Sequence, residues 1–384
     1  MSYSDELFHV MQQGLERTIR DRQCPNEFQG TLAHIMLDGK EVINFSSNDY
    51  LGLSHHPLLK EAATAAIAKY GIGGGASRLM AGGTSLHQQL ETEIAGIKQT
   101  EASLLLNSGY TANTSIIPAL ARKGDLILSD ELNHASIVDG CRLSRAHTVI
   151  YRHRDVDHLE RLLTEESGNR KIVVTDTVFS MDGDIAPLPD IVAICRRQNA
   201  LLYIDDAHGT GVLGQGMGAM HHFSIKPEPW VVQMGTFSKA LGSFGAYIAA
   251  SNEITRWLIN SVRGFIFSTA LPAPVVAASL AALKLVVSDR NLNNTLWTNR
   301  KILVDGLQSL GFDVAPSETP IIPVQIGTID ETICASQFLF TEGIYAPAIR
   351  PPTVATPRLR ITVSAAHNRQ DIEQLCDAFA KLKK

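Results

Sequence analysis

The sequence predicts an α/β fold in which a mostly parallel sheet is flanked by helices, with a smaller α+β domain at its C-terminal end. The first observation is a series of short apolar runs without polar alternation, which is typical of strands buried on both faces. The second is that helical patterns separate these runs, as in a parallel sheet covered by helices. The runs are "SLLLN" (103–107), "DLILS" (125–129), "KIVVT" (171–175), "LLYID" (201–205), "WVVQM" (230–234) and "AYIAA" (246–250).

One of the intervening helices is predicted over "TSLHQQLETEIAGIKQ" (84–99). Its start has Ser85 followed three residues later by Gln88, which fits a capping box. Its apolar residues recur at helical spacing on one face, namely Leu86, Leu90, Ile94 and Ile97.

The third observation is a change of pattern after about residue 290. A helix around 296–310 precedes the predicted strands "IIPVQI" (321–326), "IYAPAI" (344–349) and "RLRITV" (358–363), and "NRQDIEQLCDAFAKLKK" (368–384) predicts a last helix. We therefore expect a large domain over 46–290 and a small α+β domain over 291–384, which an N-terminal segment (1–45) joins. That segment is expected to begin with an amphipathic helix lying on the body of the protein, with apolar positions Leu7, Val10, Met11, Leu15 and Ile19.

Composition excludes several classes of function. The 384 residues are 45% hydrophobic and carry a net charge of -5, so no basic field for nucleic acid or for an anionic membrane surface is expected. No apolar run reaches the ~18 residues of a membrane-spanning helix, and the N-terminus lacks the apolar region of a signal peptide. The odd number of cysteines and the absence of a C-x-x-C pair predict reduced thiols in the cytoplasm; the residues are Cys24, Cys141, Cys195, Cys334 and Cys376.

Three familiar motifs are weak or missing. "GTGVLG" (209–214) has the dinucleotide-binding form, but "DAH" separates it from the preceding strand, and "GIGGGA" (71–76) follows a helical segment, so both are expected to be loops. Asp205, Asp206 and His208 suggest a metal, but adjacent residues on a strand point to opposite faces, and no metal is expected. No G-x-S-x-G elbow of a serine hydrolase is present.

The more informative pattern is a lysine and an aspartate that each follow a buried strand. Lys239 in "TFSKALGSFG" has no charged neighbour back to Glu228, and Asp205 ends "LLYID". Ligands of parallel sheets bind beyond the carboxyl ends of the strands, so both side chains are expected in one crevice. A lysine among apolar residues has a lowered pKa and attacks aldehydes, and pyridoxal phosphate needs a carboxylate facing its ring nitrogen. Alone, each residue reads as a surface lysine or a turn residue; together they favour this cofactor.

Other parts of such a site are present in the sequence. The phosphate needs a helix start with hydroxyls, and "NSGYTAN" (107–113) follows a strand and opens a helix. An arginine suits a substrate carboxylate, and Arg360 lies in the predicted strand "RLRITV". The remaining parts are phosphate donors, a ring partner and donors to the ring oxygen: Ser108, Gly109, Tyr110, Thr236, Ser238, His134, His208 and Ser180. Singly, most of these would be ordinary loop or cap residues.

At this point the sequence resembles a known family, the α-oxoamine synthases, which have the type I fold of pyridoxal-phosphate-dependent transferases. The resemblance covers about residues 40 to 367. It rests on seven motifs in order: "NFSSNDYLGLSHHP" (44–57), "GIGGGASRLMAGGTSLHQQLE" (71–91), "SDELNHASIVDG" (129–140), "VFSMDGDIAPL" (178–188), "DDAHGTGVLG" (205–214), "TFSKALGSFG" (236–245) and "AIRPPTVATPRLRITVSAAH" (348–367).

The resemblance implies a role for each matching residue. Lys239 would bind the cofactor covalently, Asp205 would face the ring nitrogen, and His134 would stack on the ring. The other cofactor contacts would be His208, Ser180, Gly109, Tyr110 and Thr236, with Ser268 and Thr269 reaching the phosphate from a second subunit of a homodimer. The substrates would contact Asn48, His134, Thr353 and Arg360, with Arg17, or its rival Arg20, holding the acyl substrate.

The activity that the resemblance implies is an acyl transfer that forms a carbon–carbon bond. "ASRLMAGGT", "DDAHGTGVLG" and "IRPPTV" look like the subfamily of biotin synthesis that condenses L-alanine with a pimeloyl thioester of coenzyme A or an acyl carrier protein. Ala355 replaces a proline usual in that subfamily. The near alternative is another member, such as glycine C-acetyltransferase or the long-chain serine enzyme. More distant alternatives are a nicotinamide-dependent oxidoreductase using "GTGVLG" and a non-catalytic binding module.

Overall fold

The structure is a computed structural model that describes residues 2–12, 16, 19–23 and 31–383. Within these residues two 3₁₀ turns occur at Leu53–His55 and Gly214–Gly216. The α-helices are α1 Tyr3–Gln12, α2 Pro57–Tyr70, α3 Ser85–Ile97, α4 Gly109–Leu120, α5 Ala135–Ser144, α6 Val156–Glu165, α7 Leu188–Arg197, α8 Ala219–His222, α9 Asn252–Ser261, α10 Arg263–Ile266, α11 Ala273–Ser288, α12 Arg290–Ser309, α13 Ile329–Thr341 and α14 Arg369–Leu382.

The strands form three sheets. They are β1 Arg22–Gln23, β2 His34–Leu37, β3 Lys40–Asn44, β4 Ala102–Leu106, β5 Leu126–Asp130, β6 His147–Tyr151, β7 Lys171–Asp176, β8 Leu201–Asp205, β9 Val231–Thr236, β10 Ala246–Ala250, β11 Ile321–Val324, β12 Ile344–Tyr345, β13 Ala348–Ile349 and β14 Arg358–Thr362. The small sheets have the orders β1-β2-β3-β12 and β11-β14-β13.

The central sheet has seven strands in the order β4-β10-β9-β8-β7-β5-β6, and only β10 runs against the others. Apart from the edge strand β6, its strands are almost wholly buried, and two apolar clusters pack them against the covering helices. This confirms the predicted fold class. The carboxyl ends of β5, β7, β8 and β9 lie along one edge, so the residues that follow them are brought together.

The sequence pattern did not predict one strand of the central sheet, β6. It also predicted a single strand where the small sheets have two. β6 lies at the sheet edge, and four of its five residues are half-buried or exposed, so it has no continuous apolar run. The predicted strand 344–349 is two short strands, β12 and β13, in different sheets. Between them Pro347 has no N–H to donate, and its carbonyl accepts from the Arg360 amide at 3.1 Å.

Two predictions about helices need correction. The capping box of α3 lies one residue earlier than predicted: Thr84 is the N-cap, and its amide donates to His87 Nδ1 at 3.2 Å. α1 exists, but it does not lie on the body through an apolar face. It has no buried residue, Leu7 is 54% exposed, and Ile19 is outside the helix and 99% exposed. Leu15 lies outside the described residues.

The N-terminal segment joins the C-terminal part of the chain through backbone pairing. β12 runs parallel to β3 with Ile344 opposite Ile43, and the Phe45 carbonyl accepts from the Thr362 amide at 2.8 Å. An apolar cluster of Ile43, Phe45 and residues of α12, α13, α14 and β14 lies beneath. These contacts support the division into 1–45, 46–290 and 291–384, which we retain as a proposal.

Three further observations concern membrane-spanning helices, metal ligands and cysteines in the described part of the chain. None of its helices is both long and apolar enough to cross a membrane. It also contains no cluster of three or more side chains arranged to ligate a metal ion. The described cysteines, Cys141, Cys195, Cys334 and Cys376, are free thiols.

Candidate active site at the carboxyl edge of the central sheet

Lys239 lies in the turn between β9 and β10, at the edge where the parallel strands end. The Phe237 amide closes this turn by donating to the Gly245 carbonyl at 2.9 Å. Gly242 has a φ of 59°, and a Cβ there would lie 2.3 Å from the Ser54 amide nitrogen, so the turn needs a glycine at this close approach. Burial lowers the pKa of Lys239, Arg360 lowers it further, and Asp205 and Asp176 oppose the change. The net lowering leaves a more nucleophilic amine than an exposed lysine has.

Asp205, the last residue of β8, is buried and held by two donors. Asn113 Nδ2 donates to Oδ2 at 2.8 Å, and the Ala207 amide donates to Oδ1 at 2.9 Å. Asn113 is fixed in turn, because its Oδ1 accepts from the Tyr203 hydroxyl at 2.7 Å and its Nδ2 also donates to Ser136 Oγ at 2.8 Å. The carboxylate is thereby held in one orientation.

A second buried carboxylate, Asp176, lies beside Asp205 because the two residues are register partners on β7 and β8. Its Oδ2 accepts from the His134 backbone amide at 2.7 Å. Burial raises the pKa of Asp176 well above its ordinary value, and the charge of Asp205 raises it further. Asp176 therefore fixes the backbone of His134 at the entrance of α5.

His134 is the N-cap residue of α5, and its side chain is exposed. Ring atom Nδ1 lies 2.7 Å from Ser136 Oγ. Burial lowers the pKa of His134, Asp205 opposes this, and Lys239 adds to it, so the ring is neutral at neutral pH. A neutral, accessible imidazole beside Lys239 and Asp205 suits a flat aromatic partner.

His208 belongs to a buried hydrogen-bonded chain that reaches Arg360. Its Nδ1 lies 2.8 Å from the Tyr50 hydroxyl, and Asn48 Oδ1 accepts from Arg360 Nη2 at 3.2 Å. Burial lowers the pKa of His208 well below its ordinary value, with Lys239 and Arg360 adding to the effect. The Tyr50 hydroxyl also donates to Asn48 Oδ1 at 3.3 Å, which completes the chain to Arg360, because a carboxamide oxygen can accept both bonds. The second ring nitrogen of His208, Nε2, lies outside this chain.

Arg360, on β14, is a buried cation without a carboxylate partner among the residues that the structure describes. Its Nε donates to the Ser180 carbonyl at 2.6 Å, which ties it to the loop that carries Ser180. Its neighbour Arg358 is paired with Asp182 instead. A buried guanidinium that lacks a counter-ion is suited to an incoming carboxylate.

Three of the residues predicted to hold a phosphate, Ser108, Gly109 and Tyr110, lie at the start of α4. Ser108 caps this helix by accepting from the Thr111 amide at 3.1 Å, and Gly109 is its first residue. The Tyr110 hydroxyl donates to Asp139, and the Thr236 hydroxyl donates to the Gly245 carbonyl at 2.7 Å. Ser268 and Thr269 lie nearby in the same chain, since Asn107 Nδ2 donates to the Thr269 carbonyl at 3.0 Å.

Of the remaining predicted substrate contacts, the structure describes Thr353 and Arg20 but not Arg17. Thr353 and Arg20 both line a cavity of about 860 Å³. Arg20 packs over the rings of Phe340 and Tyr345, and its Nε is 3.5 Å from Asp38. Arg17 lies outside the described residues.

The donors and acceptors present fit pyridoxal phosphate. Lys239 offers an amine of lowered pKa for the aldehyde, Asp205 a fixed carboxylate for the ring nitrogen, and His208 a neutral imidazole for the ring oxygen. The α4 N-terminus offers backbone N–H groups for the phosphate. Three residues that support this set were not predicted, namely Tyr50, Asn113 and Asp176. Tyr50 and Asn113 lie in quoted motifs, but nothing local marks them.

Comparison with known proteins shows the family of this chain. The family model for aminotransferase class I and II matches residues 40–379. The chain belongs to this family. It is 51% identical to a putative 8-amino-7-oxononanoate synthase of Thermodesulfovibrio yellowstonii over 99% of this chain and 97% of that one. It is 49% identical to the 8-amino-7-oxononanoate synthase of Geobacter sulfurreducens over 100% and 98% of the two chains.

Solved structures of this family share the fold. A serine palmitoyltransferase from S. paucimobilis with a bound PLP–myriocin aldimine superposes with a TM-score of 0.92 at 27% identity, covering 99% of this chain and 96% of that chain. The 8-amino-7-oxononanoate synthase of Francisella tularensis superposes with a TM-score of 0.77 at 29% identity, covering 88% and 97%. The chain thus has the type I fold of pyridoxal-phosphate-dependent transferases.

Proposed function

We propose that this chain is a pyridoxal-phosphate-dependent acyltransferase that condenses L-alanine with a pimeloyl thioester and releases carbon dioxide, as an 8-amino-7-oxononanoate synthase of biotin biosynthesis does. The observation that carries the proposal is the buried, carboxylate-free Arg360, whose charge acts on Lys239 beside Asp205. This arrangement holds an α-amino acid by its carboxylate near a reactive amine. The names of relatives at 42–51% identity support alanine and a pimeloyl thioester over the alternatives.

Each residue then has a task in the reaction. When bound, pyridoxal phosphate supplies the electron sink for the negative charge that develops at Cα of the amino acid. Asp205 would hold a proton on the ring nitrogen, and His208 would contact the ring oxygen. Arg360 holds the amino acid's carboxylate, and His134 covers the ring. Lys239, whose lowered pKa favours the free amine, takes the proton from Cα.

Bond formation follows at the same carbon. Cα of alanine attacks the thioester carbonyl carbon, and the thiol leaves. The alanine carboxylate then departs as carbon dioxide from the β-keto acid, and Lys239 or His134 returns a proton to Cα. The alternative is another α-oxoamine synthase, such as glycine C-acetyltransferase, which would use the same residues with a different amino acid and thioester.

The acyl chain is proposed to occupy the cavity lined by Thr353 and Arg20. Asn48 contacts the amino acid, since it already shares Arg360 through a hydrogen bond. Arg17 remains a proposed contact, and the carrier is coenzyme A or an acyl carrier protein. We further propose that the enzyme works in the cytoplasm, which free thiols favour.

We also propose a homodimer in which Ser268 and Thr269 reach the partner's phosphate site. Large apolar side chains are exposed close to this segment: Ile72 is 77%, Met80 81% and Phe267 71% exposed. The loop 71–76 contacts the segment directly, because the Ala270 amide donates to the Ala76 carbonyl at 2.9 Å. Exposed apolar groups beside a binding site favour a subunit interface.

A substrate panel with product mass spectrometry tests the proposed function. The purified protein with pyridoxal phosphate is given L-alanine, glycine or L-serine, each with pimeloyl-, acetyl- or palmitoyl-CoA. We expect turnover with alanine and pimeloyl-CoA, and a visible absorbance band that is absent from Lys239→Ala. Turnover of glycine with acetyl-CoA, but not of alanine with pimeloyl-CoA, would identify the alternative. A protein that stays colourless with the cofactor would refute both.

A further inference from the structure

A buried ion pair lies behind the loop that carries Asp205 and His208. Lys98 Nζ is 2.7 Å from Asp206 Oδ2, and the two side chains are 2% and 1% exposed. Lys98 follows α3, whereas Asp206 follows β8, so the pair joins a covering helix to the end of a central strand. None of the roles proposed above uses either residue.

Every donor of the Lys98 ammonium has an acceptor. Besides Asp206, it donates to Thr210 Oγ1 at 3.0 Å and to the Met217 carbonyl at 2.8 Å. Thr210 donates to Asp206 Oδ2 at 3.0 Å and has the Tyr247 hydroxyl at 2.8 Å. Burial disfavours the charge on Lys98, but Asp206 and Tyr247 together outweigh it and raise the pKa of Lys98, so this lysine is charged at neutral pH. A fully satisfied buried network of this kind restricts its members to one arrangement.

Two glycines of the loop 209–218, Gly209 and Gly218, lie where the backbone closes around this pair. A Cβ at Gly209 would lie 2.0 Å from Asp206 Oδ1. A Cβ at Gly218 would lie 2.0 Å from Asp206 Oδ2 and 2.4 Å from Lys98 Nζ. The first glycine of "GTGVLG" therefore lies against the carboxylate of this ion pair.

The pair is mechanically connected to the cofactor side of the sheet. Asp205 and Asp206 are adjacent; Asp205 bonds Asn113, whereas Asp206 bonds Lys98. Asp206 Oδ1 also accepts from the Thr177 hydroxyl at 2.8 Å, and Thr177 follows Asp176, which holds the His134 amide. The same carboxylate thus anchors the ends of both β7 and β8.

We propose that Lys98 is a positioning residue for the reaction: by fixing Asp206, it holds the loop 205–219 so that Asp205 and His208 keep their places against the cofactor ring. The inference rests on the proposed function, because it assumes the cofactor contacts of those two residues. Lys98 itself touches neither substrate nor cofactor.

The test compares the wild type with Lys98→Met, Asp206→Asn and the double variant. Each single variant leaves one buried group uncompensated and is expected to lower the thermal midpoint. The double variant removes both charges, and a neutral replacement of a buried pair keeps the fold, so its midpoint is expected close to wild type. The matched control is Lys301→Met with Asp305→Asn, an exposed pair on α12.

Three measurements separate positioning from stability. In the double variant we expect amides of 205–219 to exchange hydrogen about tenfold faster in the cofactor-free protein. We expect the visible band of the cofactor on Lys239 to titrate at a displaced pH, and kcat to fall about tenfold with KM for alanine nearly unchanged, since small misplacements have effects of this size. A stable double variant with unchanged exchange, titration and kcat would overturn the proposal.

If the double variant does not fold, a different variant, Thr210→Val, still tests the proposal. Thr210→Val removes the hydroxyl shared by Lys98, Asp206 and Tyr247 without removing a charge. It is expected to change exchange, titration and kcat in the same directions by about threefold. Wild-type values in all three would refute the positioning role. If the wild type itself forms no visible band, the proposed function fails instead, and the amide-exchange result still reports on the loop.

Discussion

The chemistry proposed for this chain depends most on Asp205, whose carboxylate is held by Asn113 and the Ala207 amide. Asp205→Asn keeps the shape and removes the charge. We expect the variant to bind the cofactor on Lys239 and show its visible band, while kcat falls on the order of 10²- to 10³-fold because a preorganised electrostatic partner is lost. Asp157→Asn, on the exposed face of α6, is the control. Near-normal turnover in Asp205→Asn would show that this carboxylate does not face the ring nitrogen.

Arg360 gives a second prediction at the level of a single residue. Lysine cannot donate to the Ser180 carbonyl and Asn48 and also hold a carboxylate by two bonds. Arg360→Lys is therefore expected to raise KM for L-alanine about 10- to 100-fold, the size of a lost hydrogen bond to a charged group, with a smaller change in KM for the thioester. Steady-state kinetics with each substrate varied in turn measure this. Arg369→Lys, an exposed residue on α14, serves as the control.

At this scale the sequence indicated the residues that follow buried strands, and the structure brings Lys239, Asp205 and His134 together at one edge of the sheet. These residues could be predicted because each follows an apolar run, and such runs mark the ends of buried strands in the sequence. The supporting residues Tyr50, Asn113 and Asp176 contact partners that are distant in the sequence. Tyr50, for example, contacts His208, which lies 158 residues further along the chain. Their polar types alone are equally common in turns and caps, so only the folded arrangement reveals them.

Among the structural elements, the loop 178–185 that carries Ser180 is held by a histidine after β6. His153 Nδ1 is 2.9 Å from Asp130 Oδ1, and its Nε2 is 2.8 Å from Asp184 Oδ2. Because both nitrogens face carboxylates, the ring is favoured in its doubly protonated form. Burial opposes the charge, but the two carboxylates outweigh it and raise the pKa of His153 to about 9.

The raised pKa gives a stability prediction with a defined sign. The folded pKa lies above the ordinary value of 6.5, so the stabilisation is fully present below pH 6.5 and is lost as the pH rises through about 9. We expect His153→Gln to lower the free energy of unfolding by about 3 kcal/mol at pH 6 and by much less at pH 10. Urea unfolding at the two pH values measures this, with the exposed His221→Gln as control. An equal loss at both values would contradict a charged clamp.

Strand prediction succeeded for β8 and β10, whose bounds match the apolar runs 201–205 and 246–250, since all their residues except the half-buried Leu201 are buried. Strand prediction failed for β6, which lies at an edge of the sheet. The prediction that α1 packs on the body was also wrong, because the residues of this amphipathic helix are exposed. Periodicity indicates which face is apolar. It does not indicate whether another surface covers that face.

For the whole molecule, the site is assembled from both ends of the chain. Asn48 and Tyr50 come from the N-terminal third, Lys239 from the middle and Arg360 from the C-terminal strands. The small sheet β11-β14-β13 places Arg360 at the edge of the central sheet, so the proposed binding of the substrate carboxylate depends on it. The proposed dimer would add Ser268 and Thr269 of a second subunit to the same site.

Hybrid dimers test that addition directly. One subunit carries Lys239→Ala; the other carries Ser268→Ala with Thr269→Val. If the segment acts on the partner's site, a hybrid has one intact site, formed by Lys239 of the second subunit and the unaltered segment of the first. Random mixing makes half of the dimers hybrids in a twofold-symmetric assembly, so about a quarter of wild-type activity is expected to return.

The measurement is activity after the two inactive or impaired proteins are dissociated together and reassociated, with each protein treated alone as the control. Size-exclusion chromatography checks that dimers re-form. If Ser268 and Thr269 served their own subunit's phosphate site, every site in the hybrid would contain a defect and no activity above the controls would return. The Asn107–Thr269 contact within one chain makes this outcome the specific alternative. Activity in the mixture thus decides whether the second subunit completes the site or only covers the apolar surface around it.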